Sequence, residues 1–240
     1  MIAVAGGKGG SGKTTTTVGV ARALSRRGAP VVVADADWDL PNLARLAGET
    51  DPPATTVDAD LSPGRSPAVS FEPPRSIPVD AVARGAVDVP DDRAAPTVLT
   101  APNRPAATDA TAVFDALGRT VPPDRPVLLD CPAGASPDAI APLRAASWSL
   151  LVTPLRRSAL RDAVKTAAIA RRLDCPPLGV VVTRANTVPD ALVDLLSCPV
   201  FGRVPPAAPE PLSEPAVSSA YDTIAERLVD THGRGRWRVA

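Results

Sequence analysis

The chain has 240 residues, 45% of them hydrophobic, a length and an apolar share that let a single α/β domain bury a full core. Its 26 basic and 26 acidic side chains cancel, so no global field draws it to nucleic acid or to an anionic membrane; any such contact must come from a local patch. Cys131, Cys175 and Cys198 are odd in number, far apart and without a C-x-x-C pair, which argues against a disulfide framework and against a structural zinc site.

The first element is the apolar run Ile2-Ala3-Val4-Ala5, followed by Gly6-Gly7-Lys8-Gly9-Gly10-Ser11-Gly12-Lys13-Thr14-Thr15 and then by Val18 to Leu24. That order reads as strand, glycine loop, helix. A loop that wraps a triphosphate needs backbone with φ > 0 and a row of N–H groups unobstructed by Cβ atoms, and glycine supplies both. Gly7 to Thr14 fits G-x-x-x-x-G-K-[ST] in full, in the strand-before, helix-after setting that pattern requires. Lys13 then brings its charge to the β- and γ-phosphates, the Thr14 hydroxyl is placed to ligate Mg²⁺, and the helix N-terminus adds its partial positive charge.

A second lysine, Lys8, sits inside the loop. A solvated surface lysine is the plain reading, but the chain has only three lysines (Lys8, Lys13 and Lys165), and two of them lie here. The stretch Lys8 to Thr15 resembles the deviant Walker A motif of the ParA/MinD family of ATPases. The resemblance implies that Gly7, Lys8, Gly9, Gly10, Ser11, Gly12, Lys13, Thr14 and Thr15 bind ATP. It also implies that Lys8 reaches the phosphates held by the other subunit of an ATP-dependent homodimer.

Thr14 to Arg27 carries Val18, Val20, Ala21 and Leu24 near helical spacing and ends on a basic turn and Gly28. Pro30 to Ala34 is an apolar strand of the kind buried on both faces, completing a right-handed βαβ unit. It runs into Asp35-Ala36-Asp37-Trp38-Asp39-Leu40-Pro41-Asn42-Leu43. Ligands of open α/β sheets bind at strand carboxyl ends, so Asp35 and Asp37 emerge beside the phosphate loop, although three carboxylates within five residues also suit a solvated turn. The segment is similar to the first switch of MinD-type proteins, which implies that Asp35 supports the metal and Asp37 orients the attacking water. Trp38 reads as a packing residue, or as a partner contact if exposed.

Eleven prolines between Asp51 and Ala107 forbid a long helix, and residues 50–75 read as a proline-rich surface loop. Within this middle region Ile77 to Val87 suits a short helix, Thr97 to Ala101 a strand and Asp109 to Arg119 a helix. This region is the least like its relatives and a natural seat of partner specificity. Pro126 to Asp130 is again an apolar strand ending in a carboxylate, as a Walker B aspartate must to reach the Mg²⁺ shell. Asp130-Cys131-Pro132-Ala133-Gly134 resembles the second switch of MinD proteins, implying a Gly134 N–H near the γ-phosphate; Cys131 reads as a small buried filler.

Ser147 to Thr153 and Leu178 to Thr183 are strands on either side of a helix over Ser158 to Leu173. Arg184-Ala185-Asn186 then stands where relatives contact adenine, and Phe201 to Pro205 resembles the last strand and the proline loop that closes over the base. Arg184 and Pro205 are the implied base contacts. Five prolines between Pro205 and Pro215 depart from the charged loop common in relatives, and Val217 to Val229 is a final helix. The tail 232–240 is short and basic. Two glycines interrupt it, so it lacks the amphipathic helix with which MinD inserts into membrane; DNA or membrane contact through it finds no support in charge or pattern.

The expected fold is one α/β domain over residues 1–231: a mostly parallel sheet of about seven strands flanked by helices, of the P-loop NTPase type. The expected function is that of a MinD/ParA-like ATPase with ATP and Mg²⁺ as cofactors. It would hydrolyse slowly until a protein partner activates it and act as a switch in positioning or partitioning a cargo. Apolar sequence begins at residue 2 and no apolar run nears the roughly 18 residues of a membrane span, so the expected location is the cytoplasm. Three other readings stay open: a metal-cluster carrier of the same superfamily, against which the lack of paired cysteines counts, a small-molecule synthetase or kinase using the proline-rich middle and switch loops as an acceptor pocket, and a nucleotide-binding adaptor without turnover.

Overall fold

In the computed structural model, residues 1–7, 9–48, 77–134 and 137–232 are described. Lys8, the proline-rich stretch 50–75 and the tail beyond His232 lie outside them.

Elements alternate along the chain. The first half runs β1 (Ile2–Gly6), α1 (Lys13–Arg26), β2 (Val32–Asp35), α2 (Leu43–Ala47), β3 (Ile77–Pro78), α3 (Val79–Ala83), β4 (Thr97–Thr100), α4 (Ala110–Thr120) and β5 (Val127–Asp130). The second half runs α5 (Ile140–Ala145), β6 (Trp148–Pro154), α6 (Arg157–Arg172), β7 (Pro177–Thr183), α7 (Ala191–Leu196), β8 (Val200–Val204) and α8 (Pro215–His232).

The strands form one sheet in the order β3-β4-β2-β5-β1-β6-β7-β8, and every neighbouring pair is parallel. A parallel sheet needs both faces covered, and the strand sequences show it: β1, β2 and β5 are buried at every residue. Successive residues feed opposite layers. Ile2 and Val4 join Val20, Leu24, Tyr221 and Leu228 under α1 and α8. Ala3 and Ala5 join Phe114, Leu117 and Leu143 under α4 and α5. At the other end Val180 and Val182 pack with Ala163, Ala167 and Leu192 under α6 and α7.

The sheet has eight strands rather than about seven. The extra one is β3, taken from the start of the segment that periodicity assigned to a helix over Ile77 to Val87. Proline pushes the residue before it into extended backbone, so Ile77 pairs with Leu99 on the sheet edge and the helix begins only at Val79. It stops at Ala83, with Gly85 at φ 66 closing the turn. Three short helices, α2, α5 and α7, carry no pattern long enough to read, and α8 extends to Pro215, a residue well suited to a first helical turn. Among the described residues no helix is long and apolar enough to cross a membrane.

Candidate nucleotide site

Parallel strands deliver their carboxyl ends to one edge of the sheet, and the candidate residues collect there. Gly6, the last residue of β1, leaves no room for a side chain: a Cβ would press into the carbonyl oxygen of Val152 on β6. Gly12, at φ 92 and ψ 23, turns the loop into α1 and accepts the first helical bond from the Thr16 N–H at 2.8 Å. Two long-range bonds pin the loop. The Gly134 N–H donates to Gly7 O at 3.2 Å, and the Thr183 hydroxyl at the end of β7 donates to Ser11 O at 2.8 Å.

Lys13 opens α1 and is only 8% exposed. Its neighbours across the sheet edge are acidic, because β2 and β5 are adjacent and the register sets Asp35 opposite Asp130. Asp130 Oδ1 accepts from the Thr17 hydroxyl at 3.0 Å, and the Thr14 hydroxyl is near enough to favour the charged carboxylate. Burial pushes the Asp130 carboxyl up to about 7, with Asp35 adding to the rise and the hydroxyls of Thr14 and Thr17 and the Lys13 charge opposing it. Asp35 is raised to about 6, again mainly by burial, against three backbone amides that favour its charge. Those amides belong to Asp37 at 3.1 Å on Oδ1 and to Asn42 and Leu43, each at 3.1 Å, on Oδ2. Asp35 thus caps α2 from a distance and folds the loop that carries Asp37.

Asp37 stands further out, half-exposed, its Oδ1 accepting from the Leu40 N–H at 3.3 Å. Trp38 is a packing residue: its indole N–H donates to Asp35 O at 2.9 Å and its ring lies 5.4 Å from that of Phe114. A cleft of about 470 Å³ opens beside this loop, lined by Asp37, Trp38, Pro105, Thr108, Pro132 and Asp138. Cys131 is fully packed, and burial drives its thiol well above the usual range, which keeps it protonated. On the other side of the loop Arg184, at φ 54, follows β7 and Pro205 follows β8. The Thr183–Val204 register and the Ala185 N–H bond to Val204 O at 3.1 Å bring these two loops side by side.

The geometry therefore gathers Gly7, Gly9 to Thr15, Asp35, Asp130 and Gly134, with Asp37 on one flank and Arg184 and Pro205 on the other; Lys8 lies outside the described residues. Two contributors escaped the sequence reading. Thr17 lies one helical turn after Lys13 and faces Asp130, a placement that helical spacing would have revealed. Thr183 was legible only as a position beside the implied base contact where some relatives carry asparagine; nothing in the sequence pointed to its bond with Ser11.

The residues fit a nucleotide with its metal. A side chain at Gly9 or Gly10 would meet nothing within 4 Å, and Ser11 Oγ is buried without a partner among the described residues. No three His, Cys, Asp or Glu side chains converge on a cage among the described residues. The hard oxygens of Thr14 and Asp130 instead suit Mg²⁺, which takes one or two protein ligands and completes its shell with phosphate and water.

Strand, glycine loop and helix in this arrangement place the chain in the class of P-loop nucleotide-binding proteins. A family model described as the CobQ/CobB/MinD/ParA nucleotide binding domain matches residues 2–206. The septum site-determining protein MinD of Synechocystis is 31% identical over 222 residues, covering 85% of this chain and 75% of its own. An uncharacterized ATP-binding protein of Methanocaldococcus jannaschii is 30% identical over 209 residues, covering 85% of this chain and 73% of its own. Among solved structures, MinD complexed with Mg-ADP from Pyrococcus horikoshii shares the fold at a TM-score of 0.69, over 97% of this chain and 96% of that one, with 21% identity. The chain belongs to the CobQ/CobB/MinD/ParA family of P-loop ATPases.

Proposed function

We propose that the chain is an ATP-driven switch that binds ATP with Mg²⁺, closes into a homodimer, hydrolyses slowly and thereby times the positioning or partitioning of a cellular cargo. The observation that carries this reading is that Lys13 and Thr14, at the mouth of a glycine loop, lie beside Asp130, which the sheet register sets opposite Asp35 on the adjacent strand end. The relatives named for septum-site determination support the positioning role.

In this reading the loop amides and Lys13 bind the β- and γ-phosphates, and Gly7, Gly9, Gly10, Ser11, Gly12 and Thr15 shape the cradle. Thr14 and Asp130 hold Mg²⁺, with Asp35 supporting the shell. The metal, when bound, supplies charge neutralisation at the phosphate oxygens. Asp37 orients the attacking water, the Gly134 N–H faces the γ-phosphate, and Arg184 and Pro205 border the base. Lys8 acts in trans, on the triphosphate of the second copy. Positioning and electrostatics do most of the work, so turnover is slow until a protein partner completes the site.

The 470 Å³ cleft beside Asp37 favours a second reading, a metabolite-acting enzyme whose acceptor sits there. Phosphate release separates the two. In the switch, hydrolysis is slow with ATP alone, Lys13→Ala abolishes nucleotide binding, and Asp37→Ala binds ATP but loses about 100-fold or more of the turnover. Stimulation by a small acceptor that is itself phosphorylated would transfer the assignment to the second reading. An Asp37→Ala protein with wild-type turnover would remove Asp37 from the chemistry.

A further inference from the structure

Thr183 lies 172 residues from Ser11 in sequence, yet it is the side chain that fixes the phosphate loop. Its buried hydroxyl donates to Ser11 O at 2.8 Å, and a Cβ on Gly12 would stand 3.3 Å from its methyl group. The peptide it holds ends on Gly12, which at φ 92 occupies a region open to glycine without a Cβ penalty, so no side chain of Gly12 fixes the orientation of the Ser11–Gly12 unit. The unit is planar and trans, so its C=O and N–H point in opposite directions. Holding the Ser11 carbonyl toward β7 therefore turns the Gly12 N–H away from β7. A flip would reverse both and present a carbonyl oxygen where phosphate oxygens must bind.

We propose that Thr183 is a positioning residue that locks the Ser11–Gly12 peptide with its N–H facing the phosphates, so that the strand leading to the base loop sets the grip on the triphosphate. This rests on the nucleotide-binding reading above. The hydroxyl acts through the peptide and touches no reacting atom. Its chemistry is that of a single donor, so serine preserves the lock and valine, equal in shape, removes it.

The test is calorimetric titration of the full chain with ATP and with ADP, each with Mg²⁺, alongside the melting temperature without nucleotide. Thr183→Val is expected to weaken both nucleotides at least tenfold while the nucleotide-free melting temperature moves by no more than a few degrees. Thr183→Ser is expected to bind within about threefold of wild type. Should the valine variant not fold, Thr183→Ala and Thr183→Ser give the same comparison, alanine weak and serine strong. Valine binding as tightly as wild type would overturn the proposal, as would serine binding as weakly as valine. Wild-type protein that binds neither nucleotide would remove the reading on which it rests; a wild type that binds, beside a valine variant that binds equally, would overturn the lock alone.

Discussion

Asp130 is 2% exposed and its carboxyl is raised from an ordinary value of 3.8 to about 7, so without a metal it stands as a strained group. Between those two values the folded chain keeps a proton that the unfolded chain has released. Rising pH across that window therefore favours unfolding, and the loss is complete above about pH 7; Asp35, raised to about 6, pulls the same way. Nucleotide-free protein in Mg²⁺-free buffer is expected to lose on the order of 2 kcal/mol more than Asp130→Asn between pH 5 and pH 7.5 in urea denaturation. The asparagine still accepts the Thr17 hydroxyl, so it removes the buried charge and keeps the bond. Equal slopes for the two proteins would contradict the placement of the raised carboxyl at Asp130. Asp35 answers to a different experiment, because its oxygens take three backbone amides. Asp35→Ala orphans them and is expected to cost about 2–4 kcal/mol, with Trp38 emission shifting red as its loop opens. An unshifted emission with full stability would show that the loop does not depend on this carboxylate.

At the scale of the elements, α1 and α8 meet at one point through a single side chain, the Tyr221 ring of α8 laid on Gly19 of α1. A Cβ on Gly19 would lie 2.7 Å from Cγ of Tyr221 and closer still to the ring edge, while the Tyr221 hydroxyl lies 3.4 Å from that of Thr16. Helix propensity alone predicts that Gly19→Ala stabilises by about 1 kcal/mol. Contact predicts the reverse, because Tyr221 is fully buried and has nowhere to move. The net expectation is a destabilisation of about 1–3 kcal/mol in urea denaturation; a gain would mean that the two helices separate easily. The same contrast between local signal and packing explains what was legible. The strands β1, β2, β5, β6 and β7 announce themselves as apolar runs, β4 is legible as Thr97 to Ala101, β8 through the resemblance of Phe201 to Pro205 to a last strand, and α1, α4, α6 and α8 carry caps or periodicity. The short α2 was unreadable because its cap is Asp35, seven and eight residues upstream of the amides it binds. Helices α5 and α7 have six residues each, too few to show a period, and β3 exists only because β4 offers it an edge. The phosphate loop, both switch aspartates and Asp130 were legible as motifs. Thr17 carried a signal that was not used, its spacing from Lys13, whereas the bond of Thr183 to Ser11 was illegible because the two lie 172 residues apart.

For the whole molecule, the order of the strands decides what the site can become. With β1 in the interior of the sheet, the phosphate loop sits between the Asp35 to Leu43 loop on one side and the Arg184 and Pro205 loops on the other. In the proposed reading, the phosphate loop, the Asp37 loop and the loops proposed to border the base thus lie along one edge of the sheet, and the Asp37 loop is the part that would answer the γ-phosphate. An ATP-dependent switch built this way must change its association state with the nucleotide it holds. The most direct test is molar mass by light scattering with no nucleotide, with ADP·Mg²⁺ and with ATP·Mg²⁺, repeated on Asp37→Ala to slow hydrolysis. The account predicts monomer in the first two states and a doubled mass with ATP, longest lived in the Asp37→Ala protein and lost in Lys8→Ala. A mass that stays monomeric with ATP demonstrably bound would contradict it.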